Sequence, residues 1–130
     1  MNKTGVSQKA IIFNKEGNFL AVHRTVTAPS NPNEWDFSGG DLDFGEDAAK
    51  GIIREIKEEA GLEIKDLKLF DVESRVDEGG DFWVTIAYTA KAIFDKVVLS
   101  HEHDEFKWLT AGAFFRLELS DKLRRFVKKL

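Results

Sequence analysis

Gly40-Asp-Leu-Asp-Phe-Gly-Glu-Asp-Ala-Ala-Lys-Gly-Ile-Ile-Arg-Glu-Ile-Lys-Glu-Glu-Ala-Gly-Leu62 is the stretch from which the rest of the chain is read. Its second half predicts one helix. Asp47 suits the N-cap, because its carboxylate can accept a bond from an otherwise unpaired first-turn amide. Glu46 and Asp47 put negative charge at the positive end of the helix dipole. Gly61 suits the left-handed position that ends many helices, with Leu62 folding back over the last turn. At about 100° per residue, Ala49, Ile52, Ile53, Ile56 and Ala60 fall on one apolar arc. Glu55, Glu58 and Glu59 fall on a second, narrow arc, away from Lys50 and Lys57. Like charges three and four residues apart cost a few tenths (about 0.2–0.5) of a kcal/mol per pair on an exposed helix. Arg54, four before Glu58, supplies one cation against three carboxylates. Hard divalent cations take oxygen ligands, and Mg²⁺ favours a few carboxylates together with substrate phosphates. The stripe therefore reads as a metal site, with a solvated acidic face as the plain alternative.

The spacing of the whole stretch discriminates between the two. Gly40, five residues, Glu46, seven residues, then Arg54-Glu55-Ile56-Lys57-Glu58-Glu59-Ala60-Gly61-Leu62 resembles the Nudix box at every specified position. With ordinary residue frequencies, such a coincidence arises on the order of once in millions of windows. The resemblance extends more loosely over nearly the whole chain.

Length and composition set the frame. The 130 residues predict one domain over 1–130, large enough to bury a core without staples. The absence of Cys removes disulfides, thiolate metal sites and Cys nucleophiles together. Neither a signal-peptide pattern nor an apolar run of spanning length stands out, so the expected setting is cytoplasmic, away from membranes. A formal net charge of −4 argues against binding nucleic acid polymers, which calls for a basic footprint. The cations Lys122, Arg124, Arg125, Lys128 and Lys129 near the end read as dipole compensation on a terminal helix.

Outward from the box, Gln8–Asn14 and Phe19–His23 read as strands joined by the turn Lys15-Glu-Gly-Asn18. Thr25–Asn33 carries both prolines and reads as a loop that could border a pocket. Leu67–Val76 and Phe82–Ala92 read as a hairpin about the polar tip Asp77–Asp81. Val97–Leu99 is expected to form a further short strand. Trp83, Ile86 and Tyr88 read as packing residues rather than a base-stacking platform. His23 reads as structural. His101 and His103 alternate, but without Cys and with one other His they make a poor zinc set. Thr110 is expected to cap a short helix through Phe115, and Ser120 another to Leu130.

The resemblance to Nudix hydrolases implies more. The fold class would be α/β (α+β), an α/β/α sandwich with a mixed central sheet. By position in the box, Glu58 and Glu59 would bind Mg²⁺ or Mn²⁺ with the Gly40 carbonyl. Glu55 would be a ligand or help deprotonate water, Arg54 would orient a glutamate, and Glu46 would support the site from the helix start. A late glutamate before a tryptophan-containing strand would be Glu102, with Glu105 second, so the general base stays open between Glu55 and Glu102. Arg24, Asp36 and Phe37 are the candidate substrate contacts. Ser38 stands where the family usually has proline. The implied reaction is metal-assisted attack of water on a diphosphate linkage, since a bound cation reverses the repulsion between carboxylates and polyphosphate. The implied partner is a small nucleoside diphosphate derivative. Within the family, a compact chain without the Pro or Tyr marks of other subgroups at Asp77–Gly80 fits a MutT-like nucleoside triphosphate pyrophosphatase giving NMP and pyrophosphate. Nucleotide sugars and other nucleoside diphosphate-X compounds are the alternative. A non-catalytic nucleotide sensor is the alternative of another kind, although such domains often lose box carboxylates and none is missing here. Relatives often dimerise, so a homodimer is one of the expected states.

Overall fold

The computed structural model describes residues 2–117, 119 and 121–130. In chain order the elements are β1 (Thr4–Phe13), β2 (Phe19–Arg24), β3 (Trp35–Asp36), β4 (Ser38–Asp41), α1 (Ala48–Ala60), β5 (Ile64–Val76), β6 (Phe82–Ala92), β7 (His103–Leu109), α2 (Ala111–Phe114) and α3 (Asp121–Lys128).

Alternation along β1 and β2 sends side chains to opposite faces of the sheet. Ala10, Ile12, Leu20 and Val22 meet Ile52, Ile56 and Ala60 of α1 on one face. Ile11, Phe19 and Ala21 meet Phe114 of α2 and Leu123, Phe126 and Val127 of α3 on the other. Two cores, one per face, give the α/β/α sandwich its layers. The sheet is mixed: β1 runs parallel to β6 from Thr4 to Phe13, while the other pairings are antiparallel. The strand order is β3-β2-β1-β6-β5, with β4 paired to β1 and β7 to β2.

One irregularity shapes the cleft. β1 and β2 share a single register pair, Phe13 with Phe19, and then part. β4 enters beside β1 in the gap, pairing Gln8 with Gly40 and Lys9 with Gly39. A Cβ at Gly39 would run into the Gln8 carbonyl, so this approach excludes any side chain there.

The helix signals act as read. Lys50 N–H donates to Asp47 Oδ2 at 2.9 Å, and Gly61 takes φ 66° while its N–H donates to Lys57 O. The apolar arc needs correcting: Ile52, Ile56 and Ala60 are buried, but Ala49 and Ile53 are exposed. Gly51 is buried in their stead, covered by the Glu46 side chain. β3 and β4 were not anticipated. Val97–Leu99 is not a strand; Val98 N–H donates to Ala60 O and Ser100 N–H to Glu59 O, so this segment caps the C-terminal end of α1. α3 ends at Lys128 rather than Leu130, and the expected cap Ser120 lies outside the described residues. Among those residues no helix is long and apolar enough to cross a membrane.

Candidate active site

The carboxylate stripe of α1 faces β4. Glu59 Oε2 accepts from Gly39 N–H at 3.1 Å and from Ser38 Oγ at 3.3 Å. The Glu55 carboxylate lies flat over Gly40, where a Cβ would collide with it. The two glycines therefore let the helix settle close to the strand with its acids pressed between them. Ser38, in the usual proline position, contributes a hydroxyl to Glu59 rather than rigidity.

Arg54 organises the outer carboxylates. Its Nη2 and Nε donate to Glu46 Oε2 at 2.7 and 3.1 Å, its Nη1 donates to Glu58 Oε2 at 3.0 Å, and Nη2 lies 3.4 Å from Glu55 Oε1. Those charge-assisted bonds hold Glu46 below the usual carboxylate range and raise Arg54 above its own. The inner pair behaves oppositely. Burial raises Glu55, with Glu58 and Glu46 adding to the rise against the pull of Arg54. Burial likewise pushes Glu59 up to about 7, despite the Lys9 charge and the Gly39 amide. Two half-buried acids whose ionised form is disfavoured call for positive charge that the chain itself does not fully supply.

A cavity of about 550 Å³ opens over this pair, lined by Gly40, Glu55, Glu58, Glu59, Arg24 and Glu102 among others. Glu102 reaches it because residues 97–100 tie to the end of α1, which brings the following loop over Glu59. His101 lines the same cavity, whereas His103 is buried behind it with Nδ1 unpartnered. His23 is away from both, with Nδ1 2.6 Å from Asp104 Oδ1 and its ring edge-on to Trp35. Glu105 lies opposite His23 in the β2–β7 ladder and does not line the cavity.

A second cavity of about 580 Å³ adjoins the first, sharing Lys9, Arg24, Ser30 and Asp41 with it. Arg24 is buried and lines both; its Nε donates to Ser30 O at 2.7 Å, fastening the 25–33 loop at the cleft. Asp36 lines the second cavity and accepts from Lys9 Nζ at 2.7 Å and from Phe37 N–H at 2.8 Å. Burial alone would raise Asp36, yet the Lys9 charge and hydrogen bond hold it below the usual range. Phe37 does not line either cavity. It is 1% exposed and stacked on Phe114 at 5.0 Å, so the expectation of a substrate contact there gives way to core packing. Trp83 both packs and borders the second cavity: its indole lies on Gly5 and donates to Asp77 Oδ2 at 3.1 Å. Lys9 and Lys122 were missed. Lys9 sits inside a strand with no local motif to mark it, and Lys122 was absorbed into a basic helix end.

The donor set suits a hard divalent cation: carboxylates, a backbone carbonyl and no sulfur or well-placed imidazole. Glu58 is turned to Arg54, and among the described residues no three of His, Asp or Glu converge tightly enough to enclose an ion. The inner acids, Glu55 and Glu59, carry the fit.

An α/β/α sandwich whose cleft is lined by helix-borne carboxylates against a Gly-Gly strand is a setting in which metal-assisted hydrolysis of a phosphoanhydride is chemically feasible. The NUDIX domain family model matches residues 3–130, and the chain belongs to the Nudix hydrolase family. It is 31% identical over 123 residues to the nucleoside triphosphatase NudI of Enterobacter sp. (strain 638), covering 87% of each chain. Its fold is similar to that of a MutT protein from Methanosarcina mazei Go1, with TM-score 0.84 and 26% identity over 98% of this chain and 92% of that one. The NUDIX domain of Shewanella oneidensis NrtR, solved with ADP ribose, shares the fold at TM-score 0.82 and 16% identity, covering 99% of this chain and 87% of that one.

Proposed function

We propose that the chain works as a single unit hydrolysing a diphosphate linkage in nucleoside triphosphates, releasing a nucleoside monophosphate and pyrophosphate. The observation that carries this is the pressing of Glu55 and Glu59 against Gly39–Gly40 at the floor of a cleft, where burial disfavours their charge. Glu58, Glu59 and Glu55, with the Gly40 carbonyl, would hold Mg²⁺ or Mn²⁺. Bound there, the cation would supply charge neutralisation to the phosphate oxygens and a lowered pKa to water. The chain's own residues do the rest. Arg54 holds Glu58 and Glu46 beside the stripe, and Glu58 would turn from Arg54 toward the ion to serve as the outer ligand. Gly39 N–H and Ser38 orient Glu59. Glu55 and Glu102 both line the cavity and are the two candidates for the group that takes the proton from the attacking water. Arg24 lines the junction between the two cavities, where a phosphate would pass.

The likeness to NudI, a nucleoside triphosphatase, supports triphosphates over nucleotide sugars. The complete set of box carboxylates supports turnover over mere sensing. A hydrolysis screen over nucleoside triphosphates, nucleotide sugars and ADP ribose, with Mg²⁺ and with Mn²⁺ and products identified by mass, tests the reading. Pyrophosphate and a monophosphate are expected from triphosphates. Turnover of conjugates alone would move the substrate, and binding without any product would make the chain a sensor.

A further inference from the structure

The second cavity has a charged floor. Lys9 and Asp36 are paired there, and Asp36 has one oxygen taken by Lys9 and the other by Phe37 N–H. Lys122, from the first turn of α3, lines the same cavity, half-buried, and finds no hydrogen-bond acceptor or ion pair among the described residues. Burial and the neighbouring Lys9 lower its pKa to about 8, with Asp36 opposing them. An ammonium has three donors and no acceptor, so Lys122 itself offers hydrogen bonds and takes none. Asp36 attracts the ammonium at a distance but makes no hydrogen bond to it, its oxygens being bonded to Lys9 and Phe37 N–H.

The position of the cavity tells what would reach it. It joins the carboxylate cleft through Lys9, Arg24, Ser30 and Asp41. A substrate with its diphosphate over Glu55 and Glu59 would lay its remaining part here. Five carboxylates and four cations line the cavity, so its charge does not favour a further anion. A neutral acceptor oxygen meets the free donors without that penalty.

We propose that Lys122 is a specificity residue that donates to a carbonyl oxygen on the nucleobase, so that the enzyme selects keto bases over their amino counterparts. This rests on the triphosphate reading above for turnover, but not for binding. The probes are uracil against cytosine and hypoxanthine against adenine, pairs in which a keto oxygen beside a ring N–H is exchanged for an amino group beside a bare ring nitrogen. An amino group would point its hydrogens at the ammonium, whereas a keto oxygen gains a bond from a charged donor worth about ten- to a hundredfold.

The test is calorimetric binding of UMP, CMP, IMP and AMP to the wild type, Lys122→Met and Lys122→Arg, with kcat/KM for the four triphosphates measured alongside. The wild type is expected to favour the keto member of each pair by about tenfold or more. In Lys122→Met the ratio should fall to within about twofold of unity, and in Lys122→Arg, which keeps a donor, the preference should persist. Melting temperature separates this from a structural role: removing a half-buried, unpaired ammonium should leave the fold at least as stable. A keto preference that survives in Lys122→Met, or a wild type that binds without preference or does not bind at all, overturns the proposal. Absence of triphosphate turnover together with a keto preference in binding would instead sink the catalytic reading and leave this one standing.

Discussion

The two halves of the cleft are built in opposite ways. The carboxylate half is built mainly from one continuous stretch, the helix and the strand before it within residues 38–59. The other half gathers Lys9, Asp36, Trp83 and Lys122 from four separate segments. On the proposed function, the first half would hold the diphosphate and the second the group attached to it. A site drawn from one continuous stretch can be marked by spacing within that stretch, whereas a site made across the sheet varies with any one of its contributing segments.

Substitutions can set the halves against each other. Glu58→Gln removes a charge from the carboxylate half and is expected to lower Mg²⁺-dependent turnover by about 10²–10³-fold, as when one preorganised transition-state contact is deleted. The exposed position of Glu58 means its melting temperature should barely move, which distinguishes lost chemistry from lost fold. Gly39→Ala strikes the join of the same half, since its Cβ would enter the Gln8 carbonyl. Denaturant titration should show a loss of about 3 kcal/mol, at the upper end of overpacking effects. Arg54→Ala leaves every carboxylate in place but releases Glu46 and Glu58; a drop of about 10- to 100-fold in Mn²⁺ affinity, followed by titration, is the expected scale for an orienting partner.

The smallest effect concerns pH. Glu59 has a folded pKa of about 7 against an ordinary 4.5, so its ionised form is the disfavoured one in the fold. Its contribution is therefore best below pH 4.5 and is lost as pH rises through 7. Without divalent cations, Glu59→Gln should be more stable than the wild type at pH 8 by about 1–2 kcal/mol and indistinguishable near pH 4. Added Mg²⁺ should raise the wild type's melting temperature more at pH 8 than at pH 5 and do little for the variant. Equal stability of the two proteins across that range would show that Glu59 is not held in the buried environment described.

What the sequence discloses follows the same division. The caps Asp47 and Gly61, the 77–81 hairpin tip and the Glu stripe are set by neighbours within a few residues, and each could be read. β3 and β4 have two and four residues, too few for any period to register, and they form only because β1 and β2 part. Val97–Leu99 has the composition of a strand, but the open carbonyls at the end of α1 claim its amides first. Phe37 stood beside the Gly pair and looked like a contact; whether it faced the cleft or the α2–α3 core depends on the pleat of strands that carried no signal. Lys9 finds Asp36 27 positions away, across the gap, where no local pattern can point.

Mn²⁺ and a non-hydrolysable nucleoside triphosphate introduced together into crystals of this protein test the central claim most directly. An anomalous peak bounded by Glu55, Glu58, Glu59 and the Gly40 carbonyl, with the phosphates on its open side, is the predicted result. Nucleotide density in the cleft with no peak among those oxygens would contradict the account.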